Sequence, residues 1–150
     1  MKDCATSSQH GKHMKISNQD VGRSGEFLVM SRLSALGYYV VHSDSYSDDV
    51  WIKLPDGKLY TIQVKTVTEH KKRGVRSGQK YTFVCKSSAA DFFALVALDR
   101  ERILFKTHHQ FSTQTLRIHR DKFTEQAEYD SLLFCLDHVA DAGAGNANIP

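Results

Sequence analysis

Apolar residues recur along this chain with two periods. Between residues 18 and 36 they fall at helical spacing, at Val21, Leu28, Val29, Leu33 and Leu36, with Gly37 placed to cap the end. Gly22 and Gly25 weaken the first turns of that helix but let another backbone come close. Residues 38–42, "YYVVH", read as a short strand, and 43–48, "SDSYSD", as a polar loop. Two alternating runs follow, "DVWIKL" at 49–54 and "LYTIQVKT" at 59–66, joined across "PDGK". That is a hairpin signal. "YTFVCK" (81–86), "DFFALVAL" (91–98) and "RILFK" (102–106) read as further strands. The second is apolar enough to be central, and the third pairs with it. Residues 123–140 predict a second helix, capped by Thr124, with Phe123, Ala127, Leu132, Leu133, Leu136 and Val139 or Ala140 on its apolar side. Residues 1–14 and 143–150 lack periodicity and are expected to be disordered tails, leaving one domain over 15–142. The order of elements predicts a single mixed α/β domain.

The hairpin turn fixes which side chains share a face. Pro55 suits the second position of a type I turn, Asp56 the third, and Gly57 the left-handed position after it. This three-residue loop pairs Leu54 with Lys58, Val50 with Ile62 and Asp49 with Gln63. One face is then Val50, Ile52, Leu54, Tyr60, Ile62 and Val64, which is core-like. The other carries Asp49, Trp51, Thr61, Gln63 and Lys65. Shifting the register by one residue would scramble the apolar set. Trp51 either meets a ligand on that face or packs beneath the first helix.

Composition adds limits. With 150 residues, 41% hydrophobic and 25% charged, the chain can bury a core without staples. Cys4, Cys85 and Cys135 form no CxxC and read as reduced thiols of a cytosolic protein. The polar N-terminal stretch predicts no secretory signal, and no apolar run approaches membrane-spanning length. His10 and His13, in the expected tail, lack partners for a metal site, and His108 and His109 show no HxH or HExxH spacing. The net charge is only +3, yet Lys65, Lys71, Lys72, Arg73, Arg76 and Lys80 crowd one stretch with a single acid, Glu69. That block is a phosphate-contacting patch or a solvated loop.

A carboxylate, an amide and an ammonium on one sheet face suggest a hard-cation site. Mg²⁺ prefers oxygen ligands and takes one or two carboxylates from a protein. Asp49 can ligate it, the Gln63 oxygen can ligate it or orient a water, and Lys65 can stabilise a phosphate oxyanion. A second acid is needed, and Glu26 on the first helix is the candidate. The alternative is an ordinary Asp49–Lys65 salt bridge on a solvated face.

"GRSGEFLVMSRLSALGYYVV" followed by "DDVWIKLPDGKLYTIQVKT" resembles the PD-(D/E)XK nuclease superfamily. The similarity is greatest to its compact phage, bacterial and intron-encoded (homing-type) endonucleases, and covers roughly residues 20–106. Glu26, Asp49, Gln63 and Lys65 take, in order, the positions of that family's helix Glu, strand Asp and E/Q-x-K tripeptide. Gln63 stands where many relatives carry an acid. Asp48 adjoins Asp49, and the register favours Asp49. The resemblance implies a restriction-endonuclease-like core, a central mixed β-sheet flanked by helices. It further implies Mg²⁺-dependent hydrolysis of DNA phosphodiesters (Mn²⁺ substituting), leaving 5′-phosphate and 3′-hydroxyl ends. Glu26, Asp49 and Gln63 would hold the metal, with Lys65 catalytic beside them. Lys71, Lys72, Arg73, Arg76 and Lys80 would contact double-stranded DNA. A homo-oligomer, dimer or tetramer, in the cytoplasm of a prokaryotic or phage-infected cell is expected. A Holliday junction resolvase and a non-catalytic DNA-binding module on the same fold are the alternatives.

Overall fold

The computed structural model describes residues 14–69, 79–86 and 88–144. The expectations for the N-terminal tail, for most of the C-terminal tail and for Lys71, Lys72, Arg73 and Arg76 lie outside the described residues.

The first helix, α1, spans Asn18–Ala35. It starts at Ser17, whose hydroxyl caps the Asp20 N–H while the Asp20 carboxylate takes the Ser17 N–H. It ends at Gly37, whose φ of +91° is left-handed. The strands β1 (Tyr39–His42), β2 (Val50–Lys53) and β3 (Leu59–Val67) follow as an antiparallel meander. The turn between β2 and β3 forms as its residues predict. The Gly57 N–H reaches the Leu54 carbonyl at 2.9 Å, and Gly57 sits at φ +88°. Val50 pairs with Ile62, Trp51 with Thr61 and Ile52 with Tyr60, the register read from the sequence.

Strand β4 (Lys80–Val84) leaves this sheet, and β5 (Phe92–Ala97) returns to pair parallel with β3. Strand β6 (Arg102–Thr107) completes the order β1-β2-β3-β5-β6. The sequence left residues 107–122 unassigned. There the structure places β7 (Thr115–His119), which pairs with β4 as a separate two-stranded sheet. Helix α2, Glu125–Ala144, closes the fold, with the Thr124 hydroxyl capping the Ala127 N–H.

Different layers pack on the two faces of the large sheet. Val29 and Leu33 of α1 and Leu132, Cys135 and Leu136 of α2 pack on Val50, Ile52, Ile62, Phe92, Val96 and Phe105. The opposite face, with Phe93, Leu95, Ala97 and Leu104, packs on Tyr81 and Phe83 of β4. Phe123 belongs to this second core, against Tyr81 and Phe83, rather than to the apolar side of α2. Leu36 and Leu133, expected on the buried sides of their helices, are exposed. Trp51 is 41% exposed and belongs to neither core, so it does not lie beneath α1. Cys85 and Cys135 are buried free thiols. Among the described residues no helix is long and apolar enough to cross a membrane.

Candidate active site

The site forms where β2 gives out and β3 continues. The Asp49 N–H reaches the Ile62 carbonyl at 2.9 Å, although Ile62 is already paired with Val50. Two residues thus oppose one, a β-bulge. The bulge takes Asp49 out of the expected pairing with Gln63. Its carboxylate instead lies along the edge of β3 and accepts the Val64 N–H at 2.7 Å. The side chain continues a ladder whose backbone partner has ended. Burial pushes the Asp49 carboxyl above its ordinary value, and the nearby Glu26 and Asp48 add to this. The Val64 N–H and the Lys65 ammonium pull it down. Asp49 is therefore an electrostatic neighbour of both Glu26 and Lys65.

Glu26 arrives from α1 by a close approach of helix to strand. A Cβ on Gly25 would stand 1.8 Å from the Thr66 hydroxyl oxygen, so only glycine lets α1 dock this tightly on β3. A Cβ on Gly22 would meet nothing within 4 Å among the described residues, so Gly22 plays no such part. The Glu26 carboxylate is held by a residue the sequence did not flag. His42, at the end of β1, places Nε2 2.7 Å from Glu26 Oε2. Its Nδ1 is 3.8 Å from the exposed Asp44 carboxylate.

Gln63 and Lys65 share the opposite face of β3. They line an open cleft of about 500 Å³ with Tyr46, Ser47, Val84, Lys86 and Ser88. The Ser88 hydroxyl donates to the Ser47 carbonyl at 2.8 Å and ties the two walls together. Asp48 is buried and accepts the Ser43 hydroxyl at 2.8 Å, so it braces the loop rather than the site. Lys80 opens β4 and is exposed.

Among the described residues no three His, Cys, Asp or Glu side chains converge as a metal set. What Asp49 and Glu26 offer is two mutually repelling carboxylates, while the Gln63 amide stands on the opposite face of β3. An oxygen-only set with two acids fits a hard, hydrated cation such as Mg²⁺, and such a charge would relieve their repulsion.

No family model and no curated protein sequence matches the chain. Solved structures with the same fold include a bacterial homing endonuclease, I-Ssp6803I, with a TM-score of 0.65 over 87% of this chain and 99% of that one. The two are 16% identical, and the likeness is one of fold. The chain has an α/β, nuclease-like fold: among the described residues, a mixed five-stranded sheet with two helices and a second, two-stranded sheet.

Proposed function

We propose that this protein is a Mg²⁺-dependent DNA endonuclease of the PD-(D/E)XK kind, of homing or restriction type, leaving 5′-phosphate and 3′-hydroxyl ends. The observation that carries this reading is the seat of the Asp49 carboxylate on the Val64 N–H of β3, next in sequence to Lys65, where the charges of Glu26 and Lys65 both act on it. Lys65, with Gln63, lines a solvent-open cleft. The likeness in fold to a bacterial homing endonuclease supports the same reading.

Asp49 and Glu26 would hold the cation, and Gln63 would add a neutral oxygen or orient a water. Bound there, Mg²⁺ would polarise the scissile phosphate and lower the pKa of a coordinated water. The remaining work falls to the chain. The Val64 N–H fixes one oxygen of Asp49, and His42 fixes one oxygen of Glu26. Lys65 donates to the phosphate oxygen on which charge develops. Lys71, Lys72, Arg73, Arg76 and Lys80 would hold duplex phosphates. A dimer or tetramer would supply a centre for each strand.

The test is incubation with Mg²⁺ of a duplex library and of four-way junctions, with product ends sequenced. Duplex cleavage is expected, with Lys65→Ala slower by about a hundred-fold or more. Cleavage of junctions alone would make the protein a resolvase. Binding without cleavage in Mg²⁺ or Mn²⁺ would leave a DNA-binding module. Cleavage that survives both Asp49→Ala and Lys65→Ala would remove the site assignment.

A further inference from the structure

The β4–β7 ribbon has one dry face and one wet one. Tyr81, Phe83, Leu116 and Ile118 turn inward to the second core. Lys80 pairs with His119, Thr82 with Arg117 and Val84 with Thr115. Directly paired residues of an antiparallel ladder point the same way, so these six form the outer face. Lys86 extends it past the end of β4 and is exposed, as are Lys80 and Arg117.

The outer face is cationic. Among the described residues no carboxylate lies within ion-pair range of Lys80, Lys86 or Arg117. The nearest acid along the ribbon, Asp121, lies beyond its end and is engaged by Arg100, His119 and Arg120. The face is also continuous with the candidate active site, because Val84 and Lys86 line the same cleft as Gln63 and Lys65. Five residues of strand span about 17 Å, roughly five base pairs of duplex. The major groove, about 12 Å wide, admits a two-stranded ribbon of this kind. Val84 is the one large apolar side chain of the outer face, too little for a second copy of the chain to bury.

Resting on the nuclease reading above, we propose that this ribbon lies in the major groove of the DNA beside the cleft. Arg117 reads a base edge, and Lys80 and Lys86 sit on phosphates. Arg117 occupies the middle of the ribbon, where a side chain faces the groove floor, and its planar fork matches the two acceptors of guanine. Lys80 and Lys86 stand towards the two ends, where the phosphate walls pass.

The experiment selects bound sequences from a randomised duplex library with full-length Asp49→Asn protein, which should retain DNA without cutting it. The same protein is then made with Arg117→Ala, Arg117→Lys or Lys80→Ala/Lys86→Ala, each checked for an unchanged melting curve. Both Arg117 variants should lose the preference at one base pair. Their affinity for the selected sequence should fall about ten-fold, while an unrelated duplex binds as before. The double lysine variant should weaken both duplexes alike and lower the slope of log affinity on log salt by about two. An intact motif after Arg117→Ala, or an equal loss on both duplexes, overturns the proposal. So does a change in sedimentation instead of DNA reading. If the Asp49→Asn protein retains no duplex at all, the nuclease reading falls as well. A selected motif indifferent to Arg117 removes the ribbon alone.

Discussion

The Asp49 carboxylate accepts the backbone N–H of Val64 at 2.7 Å, taking the place of a strand residue that β2 does not supply. One oxygen therefore serves the sheet, which leaves the other for the site. Two substitutions separate these duties. Asp49→Asn keeps a side-chain oxygen for the Val64 N–H but removes the charge. Asp49→Ala removes both and should melt below Asp49→Asn by the equivalent of about 1–2 kcal/mol. Both should abolish cleavage. Chemical denaturation beside a cleavage assay checks this, and an active Asp49→Asn protein would contradict it.

Burial is the main force on the Asp49 carboxyl and raises it above the ordinary 3.8. A native group with a raised value holds its proton more tightly than the unfolded chain does. Its contribution to stability is full below 3.8 and is lost as pH rises through the native value. Asp49→Asn has no such titration. Its melting temperature should gain on wild type as pH climbs through that window, then run parallel. Melting curves across the acid range measure the gain, and a constant offset would contradict it.

Gly25 and Thr66 set how near Glu26 comes to the end of β3. A Cβ at Gly25 would stand 1.8 Å from Thr66 Oγ1 and 2.9 Å from its Cβ and Cγ2. Gly25→Ala should cost about 1–3 kcal/mol and slow cleavage by displacing the helix that carries Glu26. Thr66→Ala removes a buried hydroxyl oxygen that has no hydrogen-bond partner among the described residues, so alone it should leave stability unchanged or raised. Added to Gly25→Ala it should recover part of the loss, but not all, because the Thr66 Cβ position remains close. A double-mutant cycle by thermal melting reads the coupling, and strict additivity would contradict it.

The hairpin was legible because everything that determines it is local. Pro55, Asp56 and Gly57 choose the turn, and the alternation of Val50, Ile52, Ile62 and Val64 chooses the register. The same letters could not announce the bulge at Asp49, which depends on how the chain leaves the Ser43–Asp48 loop. "DFFALVAL" did carry a further message. A strand apolar at every position needs cover on both faces, and two helices on one face leave the other to a second layer. Leu116 and Ile118 alternate as a strand of that layer should. Their pairing with Phe83 and Tyr81 is a long-range choice that no local pattern fixes. His42 gave no signal either, since its reach to Glu26 exists only once β1 lies beside α1.

His42 should matter through Glu26 rather than through substrate. Its Nε2, 2.7 Å from Glu26 Oε2, holds one oxygen of a carboxylate that would otherwise rotate freely. Partners of this kind orient ligands, and losing one commonly weakens metal affinity about ten-fold or more. His42→Ala should therefore raise the Mg²⁺ concentration needed for half-maximal cleavage, with the rate at saturating Mg²⁺ much less changed. His42→Gln, which keeps an N–H donor of similar reach, should recover part of the effect. Calorimetric titration of Mg²⁺ into the DNA-free protein should give the same ranking without reference to cleavage. Tighter Mg²⁺ binding by His42→Ala would show instead that the imidazole competes with the cation for Glu26.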